Sequence, residues 1–275
     1  LTELNPKDKI IRFFEKRTNY SDKKGTNIGV YTDTETTGLS DDAEIWEIAI
    51  LPFTFTDEGD ICQVFKPYVG REQPKKPLSD EICRLCGVTN EELEGKSFDD
   101  FTVLDTFSKA ELAVAHNAKF DRPKIHNRFP SIKNIMWADS AFDPDYSLAS
   151  INSRTLDYLA FRYGFWFDHH GALADCRGGL NILAQNLTPT LTVFQSLLQR
   201  AYSGSTTLEL KSGFDSKDII KGRGGYRWHP DKKVWYKVFT NDEEMDKDIT
   251  FFDERGDGDI ICKTVPEDLK RRFLK

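Results

Sequence analysis

The sequence predicts an α/β domain followed by a small α+β module, and three observations carry that expectation. Apolar, β-branched runs of strand length alternate with segments of helical periodicity as far as residue 201. After a small polar run, Tyr202-Ser203-Gly204-Ser205-Thr206-Thr207, the character changes to short aromatic-rich strands punctuated by glycines. The chain has 275 residues, 39% hydrophobic and 30% charged, enough for one sizeable core and a second, smaller one.

In chain order, Asn5-Pro6 opens an amphipathic helix through Ile10, Ile11, Phe13 and Phe14, within an N-terminal segment 1–25 that docks on the core from outside. Strands are expected at 28–34, 44–56 and 60–66, with Gly59 marking the turn between the last two. Helices are expected at 79–85, 98–108, 118–128, 153–163, 172–186 and 190–201, and a short buried strand at 113–115 runs into the helix at 118. These elements make a domain over 26–201, and Tyr202–Thr207 reads as a linker. The module at 208–275 has a short helix capped by Ser216 and strands at 226–228 and 234–239 around His229-Pro230-Asp231-Lys232. A helix capped by Thr240 with Glu243 then runs through Phe251 and Phe252, and Ile260–Lys263 adds an edge strand.

Three segments carry the chemistry. Asp33-Thr34-Glu35-Thr36-Thr37-Gly38 follows the apolar run Ile28–Tyr31, and because strand side chains alternate faces, Asp33 and Glu35 emerge on the same side. Two carboxylates held that close are costly to ionise unless a cation neutralises them, and clustered oxygens suit hard ions such as Mg²⁺ or Mn²⁺. The second segment, His116-Asn117-Ala118-Lys119-Phe120-Asp121, puts Asn117 and Asp121 on one helix face. The third, His169-His170-Gly171-Ala172-Leu173-Ala174-Asp175, places His170 at a helix entrance and Asp175 just over one turn later.

In this order the segments resemble the three motifs of the DEDDh family of 3′→5′ exonucleases, in the branch holding the epsilon proofreading subunit of bacterial DNA polymerase III and its stand-alone relatives. The resemblance covers about residues 26 to 187, and three ordered motifs are far more specific than one. It implies a ribonuclease-H-like mixed sheet flanked by helices, and an acidic quartet of Asp33, Glu35, Asp121 and Asp175 holding two Mg²⁺ (or Mn²⁺) ions. His170 is the lettered histidine that takes the proton of the attacking water, and Gly171 stands where many relatives carry a larger residue. Thr36, Thr37, Gly38 and Leu39 look like the segment that packs on the terminal nucleotide. Asn117 either caps the helix bearing Asp121 or touches substrate, and the capping preference of Asn favours the first. His116 and His126 read as surface or packing histidines, His169 as a spacer, and His229 belongs to a separate segment.

The implied activity is removal of nucleotides from single-stranded or frayed DNA 3′ ends, in proofreading, repair or degradation. The alternatives are a 3′→5′ exoribonuclease of the same family, or a non-catalytic nucleic-acid- or polymerase-binding protein that keeps the fold. The net charge of −7 does not oppose a nucleic-acid partner, because eight basic residues against three acidic ones lie between Lys211 and Lys237. Aromatics interleave with them, making Arg227, Trp228, Lys232, Lys233 and Trp235 candidate contacts of a stacking platform. For so small a module, half of those aromatics are as well read as its own core.

Gln195-Ser196-Leu197-Leu198 faintly resembles a sliding-clamp peptide, leaving a polymerase or clamp as further candidate partners. Five scattered cysteines, with Cys83-x-x-Cys86 lacking a second pair for a zinc tetrad, read as reduced thiols in a cytoplasmic protein. No apolar run reaches the length of a membrane span and no charged-then-apolar leader opens the sequence, which starts at Leu1 rather than Met as a piece of a longer product would.

Overall fold

The computed structural model describes residues 19–132, 135–167, 171–213, 216–255 and 259–274. The helix expected at Ile10–Phe14 lies outside them, as do His169 and His170. The described part of the N-terminal segment is not helical: Ser21 N–H donates to Ile61 O, and Lys23 pairs with Asp60. The chain divides into two compact units, one running to Ala201 and including Lys270–Lys275, the other Tyr202–Leu269.

The first unit is built on a mixed sheet. Its strands are β1 (Asn27–Thr36), β2 (Ile45–Phe55), β3 (Ile61–Val64), β4 (Tyr68–Arg71), β5 (Leu112–Ala115) and β6 (Met136–Asp139). The order is β3-β2-β1-β5-β6, with β4 also paired to β2. β1 runs antiparallel to β2 and parallel to β5, so it is paired on both edges, as its buried Val30, Tyr31 and Thr32 require. The helices are α1 (Asp80–Cys86), α2 (Asn90–Leu93), α3 (Asp100–Lys109), α4 (Ala118–Arg128), α5 (Leu156–Arg162), α6 (Ala172–Leu183) and α7 (Val193–Ser203).

Strand alternation sorts the core into two layers. Val30, Ile48, Ile50, Ala113 and Ala115 face α3 and α4 through Val103, Phe107 and Ile125. Tyr31, Ala49, Leu51, Phe53 and Val114 face the opposite way, onto Leu180 and Leu183 of α6, Leu159 of α5, and Phe194 and Leu197 of α7. The central mixed sheet flanked by helices is the ribonuclease-H-like fold that the motifs implied.

Several element expectations need correction. β4, β6 and the short hairpin β7 (Asn186–Thr188) with β8 (Leu191–Thr192) were not anticipated, and the hairpin occupies residues expected to continue the helices on either side. The polar run read as a linker is mostly regular structure. Tyr202 and Ser203 finish α7, left-handed Gly204 (φ 70°) turns the chain, and Thr206 opens a strand. The last residues, expected within the module, group with the first unit.

The second unit has a four-stranded antiparallel sheet of β9 (Thr206–Lys211), β10 (Arg227–His229), β11 (Val234–Phe239) and β12 (Ile261–Pro266), in the order β10-β11-β9-β12. With it come α8 (Lys217–Arg223) and α9 (Asp242–Arg255), around a core of Leu208, Leu210, Ile220, Phe239, Met245 and Phe252. Asn241 caps α9, its Oδ1 accepting from Glu243 N and Glu244 N, in place of the expected Thr240–Glu243 box. Ser216 makes no side-chain capping bond to α8.

Candidate active site

Tyr31, Asp33 and Glu35 follow one another on one face of β1, the face packed by α6. A register shift between Glu35 and Thr36 ends the regular pairing just past the second carboxylate. α6 packs closely on this strand and on the segment that precedes the helix: a Cβ on Gly179 would lie 2.0 Å from the Tyr31 hydroxyl oxygen, and one on Gly178 would lie 2.4 Å from the Phe167 ring. The two helical glycines, a conformational liability elsewhere, permit that approach. One turn before them, Asp175 is thereby delivered to the strand end. Oxygens of Asp33, Glu35 and Asp175 all lie within 4.8 Å of one another.

The electrostatics disfavour charge on Asp33 and Glu35. Burial, and then the charges of Asp121, Asp175, Glu35 and Glu47, hold the Asp33 carboxyl well above the usual carboxylate range. Burial followed by Asp175 and Glu47 pushes Glu35 up to about 7, with the Cys86 thiol opposing. Glu47 sits directly across from Glu35 in the β1–β2 register, where like charges repel. It is held in place by Arg71 Nε at 2.6 Å and by Ala172 N–H.

Asp121 reaches the site from the opposite layer. Thr34, whose side chain faces away from Asp33, donates to Asp121 Oδ1 from both N–H (3.1 Å) and Oγ1 (2.6 Å), which opposes the upward push of burial on that carboxyl. α4 owes its orientation to Asp139 at the end of β6: its two carboxylate oxygens accept from Asn117 N and Ala118 N, each at 3.0 Å. Asn117 occupies the N-cap position in the left-handed region (φ 69°) and makes no side-chain capping bond, so the favoured reading of Asn117 as the cap is corrected. A carboxylate from a parallel strand does that work.

Among the other expected substrate-binding residues, Leu39 is 87% exposed. With Asn117, Phe120, His126 and Leu274 it lines a concavity of ≈ 370 Å³. Thr36 is engaged locally, donating from Oγ1 to Gly38 O, while Thr37 exchanges hydrogen bonds with Glu44. Among the described residues, no atom beyond its chain neighbours comes within 4 Å of a Cβ built on Gly38, which leaves that backbone open to approach. Asn117 also borders a second concavity of ≈ 640 Å³, whose wall includes His116, Phe142, Arg154 and Asp175. His116 is a packing residue, bonded to Ser140 Oγ and Arg154 O, and His126 Nδ1–H donates to Arg122 O.

Two contributors were missed from the sequence. Cys86 at the end of α1 donates its thiol to Glu35 Oε2 at 3.8 Å, and nothing in its C-x-x-C setting pointed across 51 residues to a carboxylate. Glu47 had a signal, being a lone acid inside the continuous apolar run Ile45–Leu51.

In the second unit the five expected contacts divide. Trp228 and Trp235 face each other across the β10–β11 hairpin, and Arg227 and Lys233 are exposed. Lys232 is committed to Glu209 at 2.8 Å. Tyr226 donates to Asp248 and packs on Phe252, as a core residue does.

Fold and site together define a nuclease-type domain, and comparison with known proteins agrees. Residues 30–183, more than half of the chain, match the family RNase_T, Exonuclease, and the chain belongs to that family. Among solved structures, E. coli Exonuclease I in complex with a dT13 oligonucleotide is similar at 15% identity and a TM-score of 0.52, over 67% of this chain and 48% of that one. Exonuclease X in complex with 5′ overhanging duplex DNA is similar at 23% identity and a TM-score of 0.46, over 62% of this chain and 97% of that one. The chain thus spans about half the length of Exonuclease I, and that likeness is one of fold. No curated protein matches significantly in sequence. Among the described residues, no helix is long and apolar enough to cross a membrane.

Proposed function

We propose that the chain is a divalent-metal-dependent 3′→5′ exonuclease acting on single-stranded or frayed DNA ends. The observation that carries the reading is the meeting of Asp33, Glu35 and Asp175 at one strand end, inside a domain of the exonuclease family. The donor set fits a hard cation. The charges of Asp121, Asp175, Glu35 and Glu47 all oppose ionisation of Asp33, a repulsion that a bound cation would relieve, and oxygen-only donors suit Mg²⁺ or Mn²⁺.

Asp33, Glu35 and Asp175 would hold the metal, with Asp121 completing the set for a second ion. In such sites two divalent ions supply an activated water and neutralise charge on the phosphoryl and departing oxygens. The protein's own part is to fix that donor set: β1 presents two carboxylates, α6 brings the third through its glycine-mediated approach, and Thr34 fixes the fourth. His170, which lies outside the described residues, is assigned the proton of the attacking water because its motif resembles the family's, and imidazole titrates near neutrality. Leu39 and Asn117, bordering one concavity, are assigned to the terminal nucleotide.

End-labelled DNA and RNA single strands of matched sequence, digested with Mg²⁺, test the reading. Stepwise shortening from the 3′ end of DNA is expected, abolished by chelation and by Asp33→Asn. The same substitution relieves carboxylate repulsion, so the metal-free variant should melt no lower than the metal-free native protein and should lose the rise in Tm that Mn²⁺ gives the native chain. Metal-independent cleavage by Asp33→Asn would sink the assignment, and preferential trimming of RNA would replace the substrate.

A further inference from the structure

We infer that the second unit carries its own binding site for single-stranded nucleic acid, in which an unstacked base lies on Trp228 beside Trp235 while Lys221 meets the adjoining phosphate. The site is a concavity of ≈ 530 Å³ lined by Ser212, Gly213, Lys217, Lys221, Trp228 and Trp235. Trp228 and Trp235 are directly opposite in the β10–β11 register, their rings 5.5 Å apart and inclined at 60°. The inner indole packs against the unit's core, whereas Trp228 is 48% exposed. A half-exposed indole braced by a second one is a fixed aromatic surface with little rotamer entropy left to lose on binding.

Charge identifies the occupant. Much of the basic cluster is consumed within the unit: Arg223 and Lys237 both pair with Asp248, and Lys232 with Glu209. Lys221 is exposed; its carbonyl accepts from Gly224 N–H, but its ammonium group makes no ion pair or hydrogen bond among the described residues. It stands one turn from Lys217 on the same face of α8, and both line the concavity with the tryptophans. An aromatic face flanked by an uncommitted ammonium group matches the alternation of base and phosphate along a single strand, where stacking supplies sequence-tolerant affinity. Of the residues expected from sequence, Trp228 and Trp235 belong to this cradle, and Lys221 takes the place given to Lys232, which Glu209 holds.

The choice of nucleic acid over an acidic peptide rests on the nuclease reading, so the experiment separates the two. Binding of a fluorescent dT20 strand to the full chain is measured in chelator, where turnover is not needed, by anisotropy and by quenching of tryptophan emission. Trp228→Ala should weaken binding by ~5- to 100-fold, the worth of about one stacked base. Trp228→Phe should retain most of the affinity. Lys221→Ala should lower the slope of log affinity against log salt by about 0.7, one phosphate contact on a single strand. Circular dichroism and melting establish that each variant is folded. Unchanged affinity and salt slope in folded Trp228→Ala and Lys221→Ala overturn the site, as does an acidic peptide that displaces dT20 at equal concentration. Trp228-dependent binding by a native chain that hydrolyses no strand supports the site and removes the nuclease reading instead.

Discussion

His116 occupies the second motif without a place in the acidic cluster, and its surroundings fix both its tautomer and its titration. Arg154 O, 2.8 Å from Nε2, can only accept, so Nε2 carries the proton and Nδ1 accepts from the Ser140 hydroxyl at 2.9 Å. That hydroxyl oxygen in turn takes the Tyr31 hydroxyl proton at 2.7 Å. Burial lowers the histidine's pKa to about 4, from 6.5 when unfolded. Between those values the unfolded chain binds a proton that the folded chain refuses, so stability from this group is complete above pH 6.5 and falls as the pH drops towards 4, by at most ~1.4 kcal/mol per unit. His116→Gln should therefore flatten the loss of Tm between pH 7 and pH 5 relative to the native chain; parallel profiles would show that His116 ionises freely. At this scale, sequence reveals what chain periodicity dictates. Asp33 and Glu35 share a side because strands alternate, whereas Asn117 was misread because its helix is capped by Asp139, 22 residues away on a strand not foreseen. Cys86 and Glu47 meet Glu35 only through strand pairing and a long connection, which local pattern does not encode.

Among elements, the relay behind α4 links the far end of the chain to Asp121. Arg272, 5% exposed, holds both oxygens of Asp143 (2.6 and 3.1 Å), and Asp143 Oδ2 accepts Asp139 N–H at 2.7 Å. Asp139 caps α4, whose Arg122 donates to the carbonyls of Lys270 and Arg272. Removing one member of a buried ion pair strands the other, so Arg272→Ala should cost ~3–5 kcal/mol in denaturant unfolding. Pairing it with Asp143→Asn, which keeps an acceptor for Asp139 N–H but removes the stranded charge, should recover part of that loss. A cost below ~1 kcal/mol, the usual worth of a surface pair, would mean that the terminal segment is not a structural part of the first unit. The helix bounds at 118–128 and the aromatic hairpin were both anticipated from sequence. β4 and β6, each only four residues long, were not, because neither is long enough to establish a period of its own.

For the whole molecule, the α/β class was readable from alternating strand and helix patterns, but the path of the chain between its two units was not. The second unit is entered and left through neighbouring strands. β9 and β12 pair from Thr206↔Pro266 onward, Glu267 N–H donates to Ser205 O at 2.8 Å, and Leu269 packs where a Cβ on Gly204 would stand. It is therefore an insertion between α7 and the segment that carries Arg272, not a tail. This geometry separates two deletions that look alike in sequence. Truncation after Ser203 removes Arg272 and leaves Asp143 buried without its guanidinium, so the remaining chain should melt well below the native first unit and lose hydrolysis of short oligonucleotides as it unfolds. Excision of 206–266, with Ser205 joined to Glu267 through two or three glycines, keeps Arg272 and closes a gap that strand pairing holds to roughly 5 Å. That protein should melt within a few degrees of the native first unit and cleave short oligonucleotides at the native rate, while losing affinity for dT20. Equal melting of the truncated and excised proteins would show that Arg272 contributes nothing to the catalytic unit, and undiminished dT20 binding by the excised one would place all single-strand affinity in the nuclease fold.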